Sequence, residues 1–173
     1  MQYTRLRAVE QSVLMSSLAR MPQWLRETCA GLSSELARTP GPADAFSPVE
    51  QVWHLADLER EGFGLRIRRL QQEHNPLLPD FDGTRIARER NYRALSLEVG
   101  LRAFAAARAE NLATLAAVPA ANWVREGTQV GVGPVSLCDM PLFLHQHDAS
   151  HVAEIREWRR HVGMDTLGAG DIG

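Results

Sequence analysis

The sequence predicts an all-α protein, a four-helix bundle, from three observations. Apolar residues recur at helical spacing over long stretches. One helix opens on a complete capping signature, "SPVE" at 47–50. No stretch shows the sustained alternation of a half-buried strand, so long helices must supply the core by packing on one another.

The first helix is expected over 4–20, from the spacing of Leu6, Val9 and Val13 with Leu14 and Leu18 beside them. Pro22 interrupts it, but proline suits the first turn of a continued or restarted helix, "PQWLRETCAG". Gly31 is a natural stop. "RTPGPADAF" (38–46) reads as a loop. In "SPVE", Ser47 is the cap, Pro48 the first helical residue and Glu50 completes the box, and the helix should run to about Glu73. A short helix is expected near 84–93 and a long one over about 97–117, closed by Pro119. Residues 119–135 hold most of the irregular structure, with turns at Gly127, Gly131 and Gly133 and a short strand at "TQV". Ser136 caps the last helix, with Asp139 near its positive end. That helix should run to about His161, and residues 163–173 form a glycine-rich tail. The whole chain reads as a single domain with its core at about 5–162.

Composition narrows the function. Hydrophobic residues make up 45% and charged residues 23%, as in ordinary globular proteins. The formal charge of −2 gives no electrostatic footprint for nucleic acid. The arginines of "RIRRL" (66–70) read as a solvated helix face. No apolar run approaches the ~20 residues of a membrane span, and the N-terminus lacks a signal-peptide pattern. A cytoplasmic protein is expected. Cys29 and Cys138 are isolated and lack metal or disulfide spacing.

"HQHDASH" (145–151) holds three of the six histidines. Side chains four apart share a helix face, so His147 and His151 point together and His145 elsewhere. Leu137, Met140, Leu144, His147, His151, Ile155 and Trp158 step by three and four, so the pair lies on the inward stripe. Each buried imidazole needs partners that an apolar wall does not offer. Either carboxylates or waters hold the pair, or a divalent metal accepts one nitrogen from each ring. His54, in "VEQVWHLADLE", also sits among apolar residues, and a bundle can bring it to the pair. Three imidazoles leave metal positions open, as reactive sites do. "HDASH" resembles the HExxH of zinc proteases only superficially, because Asp148 is shorter than glutamate. "GVGPVS" (131–136) is a glycine turn without the lysine of a nucleotide loop.

The residues "SPVEQVWHLADLE" (47–59), "WVREG" (123–127) and "HDASHVAEI" (147–155) together resemble the DinB-like superfamily, which includes the bacillithiol and mycothiol transferase relatives. The resemblance spans roughly 5–162. It implies an up-down-down-up four-helix bundle and a divalent metal, zinc or nickel, on His54, His147 and His151. Many relatives have glutamine where this chain has Glu154, and a place in solvent or behind a ligand is expected for it rather than one on the metal.

On this reading the metal activates a thiol or water. Transfer of a low-molecular-weight thiol, bound as co-substrate, to a small-molecule electrophile is favoured. Hydrolysis and a non-catalytic, stress-associated metal protein are the alternatives, and a homodimer is left open. Asp57, one turn after His54, could accept that ring's N–H. Trp123 and Arg125 could line the pocket mouth, Arg125 meeting an anionic substrate. An ordinary histidine titrates near 6.5, so metal stabilisation should be present at about pH 7.5 and much weaker at about pH 5.

Overall fold

The computed structural model describes residues 8–164. Helix α1 spans Ala8–Cys29 without a break at Pro22. Proline removes the hydrogen bond to the carbonyl four residues back, here that of Leu18. Arg108 Nη1 takes over this carbonyl at 3.0 Å, and Leu18, Met21 and Leu25 anchor the segment in the core. A short helix absent from the sequence reading, α2 (Ser34–Arg38), follows, with Ser33 Oγ accepting from the Leu36 N–H at 3.1 Å.

Helix α3 (Pro48–Asp57) begins at the expected capping box, where the Ser47 N–H donates to Glu50 Oε2 at 2.9 Å. The helix expected over 47–73 is not regular. A π-helical turn, Leu58–Phe63, separates α3 from α4 (Gly64–Gln72). The Gly64 N–H donates five residues back, to the Glu59 carbonyl. A Cβ at position 64 would stand 2.6 Å from that oxygen, so the wide turn needs a glycine there. Such turns re-aim side chains and often occur at functional sites.

The short helix expected at 84–93 is α5 (Gly83–Glu89), and a separate 3-10 turn occupies Tyr92–Ala94. Asn91 has a φ of 49°, which breaks the run. Helix α6 spans Leu97–Ala116 and α7 spans Met140–His161. The expected short strand is part of a three-stranded sheet. Strand β1 (Leu77–Leu78) pairs in parallel with β2 (Glu126–Gln129), and β2 pairs antiparallel with β3 (Gly133–Ser136). Two residues of β1 were too few to leave an alternation in the sequence.

The bundle is formed by α1, the α3–α4 rod, α6 and α7. The rod lies mainly on α6 and also meets α7, while α1 contacts both α6 and α7. Its apolar core is split in two. One cluster includes Leu18, Phe63, Leu70, Leu115 and Leu144, and the other Met21, Leu55, Phe104 and Ile155. On α6, Arg108 and Asn111 fall between the two, and on α7 His147, Asp148 and His151 do. No helix of the described residues is long and apolar enough to cross a membrane.

Candidate metal centre

Helix α3 supplies His54, and α7 supplies His147 and His151. His147 Nε2 lies 3.4 Å from His54 Nε2 and 3.2 Å from His151 Nε2. One nitrogen from each ring falls within 4.8 Å of the others, so the three could hold one metal ion. His145 leaves this face, as its helical position predicts, and its Nδ1 stands 3.4 Å from Ser17 Oγ on α1.

Hydrogen bonds set the ring orientations. The amide oxygen of Gln51 accepts from His151 Nδ1. That bond places the proton on Nδ1 and leaves the Nε2 lone pair facing the other rings. Gln51 Nε2 in turn donates to Glu154 Oε2 at 2.7 Å, and this oxygen lies 3.3 Å from His151 Nδ1. The bond with His151, with that from Gln51, holds the Glu154 carboxyl well below the usual carboxylate range, against the effect of burial. Glu154 therefore stands behind a ring rather than among the converging nitrogens. Its side chain is half exposed.

Burial first, and then the repulsion between protons on His54 and His151, push the His54 pKa down to about 4. The same causes in the same order push His147 further down, with smaller contributions from His54 and Arg108. Both rings are neutral at pH 7. His54 is walled by Phe46 and Phe81, and its buried Nδ1 has no hydrogen-bond partner among the described residues. Gly83, the first residue of α5, lies on this ring: a Cβ there would stand 2.3 Å from His54 Cε1.

Three expected neighbours take other places. Asp57 does not accept from His54; it is buried and receives Tyr92 Oη, Arg60 and Arg90. The π turn and α5 bring those donors close, which no local pattern encodes. Arg125 does not reach the site, because its Nε and Nη2 donate at 2.6 Å to the carbonyls of Leu70 and Glu73, where α4 ends. Trp123 packs on the first apolar cluster rather than at the pocket mouth. Asp148, between the two histidines of α7, turns from them and binds Arg108 through both oxygens, at 2.7 and 2.8 Å. It is not placed as a protease-like base.

A pocket of about 380 Å³ opens beside His54 and His147. Phe63, Phe81, Val132 and Phe143 give it apolar walls, and Arg66 and Asp80 its charges. Gln51, Gly83 and Arg66 are the members that sequence reasoning missed. Gln51 lies one turn before His54 on the same helix, a spacing that could have found it. Gly83 left no signal. Arg66 was read as part of a solvated face, yet it is buried while its neighbour Arg68 is exposed.

A search of curated proteins finds no match. Among solved structures, YfiT from Bacillus subtilis, described as a probable metal-dependent hydrolase with an unusual four-helix bundle topology, superposes with a TM-score of 0.83. It is 17% identical, over 92% of this chain and 91% of that one, so the likeness establishes the shared fold. The family profile of the DinB superfamily matches residues 17–155. With the bundle and the histidine cluster in place, the chain belongs to the DinB superfamily.

Proposed function

We propose that this chain binds one divalent metal ion through Nε2 of His54, His147 and His151 and hydrolyses a small molecule there. The spacing of the nitrogens carries the reading. Three ligands of a tetrahedral zinc ion, each at about 2.0–2.1 Å, stand about 3.3 Å apart. The Nε2 separations here are 3.4 and 3.2 Å. The donors fit as well: Gln51 fixes His151 with its Nε2 lone pair inward, and burial keeps His54 and His147 unprotonated. Imidazole sets of this kind suit zinc and nickel alike.

A divalent ion held there supplies Lewis-acid chemistry, which makes a small nucleophile available at neutral pH. The chain's own residues do the rest. The phenylalanine walls exclude bulk water and hold an apolar body, and the Gln51–Glu154 pair keeps His151 oriented. No cysteine serves as nucleophile: Cys29 and Cys138 are buried, and burial pushes the Cys29 thiol up to about 12. The nucleophile comes from solution. Water is the first choice, in keeping with the description of YfiT.

A second reading keeps a low-molecular-weight thiol as the nucleophile, in a cytoplasmic setting. One observation favours it: Asp57 and Asp148 are occupied by arginines, and Glu154 lies behind His151. A thiol, with its lower pKa, depends less than water on a nearby carboxylate base. Protein purified without a histidine tag should retain about one zinc or nickel ion per chain. A panel of esters and amides, assayed with and without added thiol, separates the readings. Turnover without thiol, lost in His147→Ala, supports hydrolysis. Turnover only with thiol replaces it by transfer, and protein that takes up neither metal ends both.

A further inference from the structure

Two arginines near the candidate centre are almost fully buried, and the fold treats them differently. Arg108 is 1% exposed and every N–H has an acceptor. Glu59 Oε1 lies 2.8 Å from Nε and 2.6 Å from Nη2, Asp148 takes Nη1 and Nη2, and the Leu18 carbonyl takes Nη1. Arg66 is 5% exposed. Its one hydrogen bond to a described residue runs from Nη2 to the Pro79 carbonyl at 3.3 Å. Among the described residues its buried Nε has no hydrogen-bond partner and no carboxylate forms an ion pair with it. Burial lowers its pKa, and the charge of Asp80 only partly offsets this.

A buried cation is unfavourable unless a counter-charge accompanies it. For Arg66 the described residues supply only the distant charge of exposed Asp80, with no ion pair, and the side chain lines the pocket that reaches His54 and His147. Its guanidinium carbon lies 5.4 Å from the centroid of the Phe63 ring, so one face is covered and the donor edge remains. A planar edge of two N–H groups matches a carboxylate. Asp80, exposed at the same pocket, disfavours multiply charged anions such as phosphate monoesters. We infer that Arg66 is a substrate-binding residue and that the substrate is a small apolar molecule bearing one carboxylate, which pairs with Arg66 while its body lies on Phe63, Phe81 and Phe143. This rests on the proposed reading that substrate enters this pocket, and it names the substrate class.

The test uses metal-free protein, so that a carboxylate cannot bind through metal. 3-Phenylpropionate and its neutral amide are titrated by calorimetry or NMR. Wild type should bind the acid roughly tenfold or more tightly than the amide, and Arg66→Gln should lose that preference. His54→Ala should retain it. Equal binding of acid and amide by wild type, or an unchanged preference in Arg66→Gln, would overturn the proposal. So would loss of the preference in His54→Ala alone, which would place the anion on the histidines. Arg66→Met supplies a readout independent of binding. Its melting temperature should equal or exceed that of wild type, and a fall of more than about 4 °C would make Arg66 a structural residue and overturn the assignment. Zinc uptake, measured separately, tests the metal reading, so either result stands if the other fails.

Discussion

Gln51 decides which nitrogen of His151 faces the other two rings. Its amide oxygen accepts from Nδ1, and its amide nitrogen is spent on Glu154. Partners of this kind, behind a metal ligand, are commonly worth 10- to 100-fold in metal affinity. Gln51→Leu should therefore weaken zinc binding by about that factor while the apoprotein stays folded, as a chelator-competition titration would report. An unchanged affinity would mean that packing alone orients His151. The three histidines were legible because helical spacing separates His147 and His151 from His145, and because an apolar stripe makes unpartnered imidazoles expensive. Gln51 was within reach of the same argument. Arg66 was not, since a side chain inside an arginine-rich run looks solvated until the opposite wall of the pocket is in place.

Helix α5 acts on the site through one missing Cβ. Gly83 lets the start of the helix lie on the His54 ring, while Arg90 at its far end is held by Asp57 and Glu61. Asp57, expected to touch His54 directly, instead fastens the element that covers it. Gly83→Ala would drive a methyl group to 2.3 Å from His54 Cε1 and 2.5 Å from Nδ1. The ring or the helix must then move, and zinc affinity should fall by about tenfold or more, because ligand positions within a few tenths of an ångström matter. The same titration checks this, and an affinity equal to wild type would show that α5 yields freely. Helix existence was readable from periodicity and from the box at Ser47 and Glu50. The π turn was not. Its causes are a glycine at 64, whose Cβ would meet the Glu59 carbonyl, and Asn111 on another helix, which donates to that carbonyl at 2.8 Å. The second lies 52 residues away, where a local window does not look.

At the scale of the whole molecule, a polar layer divides the two apolar clusters. Arg108 is its centre, joining α1 at Leu18, the π turn at Glu59 and α7 at Asp148. Burial raises the pKa of Glu59, although Arg108 opposes it. Arg108→Met would strand two buried carboxylates and the carbonyl that Pro22 leaves free, a loss of about 3–5 kcal/mol. The melting temperature should fall by roughly 10 °C or more, with partial recovery when Glu59→Gln and Asp148→Asn are added. A fall below about 2 °C would show that water replaces the guanidinium. Burial also moves the pH window expected from an ordinary histidine ring. In the unfolded chain histidine titrates near 6.5, whereas His54 in the fold titrates at about 4. Between those values the unfolded chain binds more protons, so stability of the apoprotein falls as pH drops from about 6.5 toward 4. For His54 alone the loss is about 3 kcal/mol at the low end. Metal binding to the folded chain follows a different course, because His54 and His147 stay unprotonated down to the acid end of that window and protons do not displace metal from them. Three ordinary rings would lose on the order of a thousandfold in zinc affinity between about pH 7.5 and 5.5. With His54 and His147 held neutral, the folded protein should lose far less than that over the same interval, in calorimetric titrations at fixed ionic strength. A thousandfold loss would show that solvent reaches all three rings, and the neutral, preformed cluster on which the proposed centre depends would have to be given up.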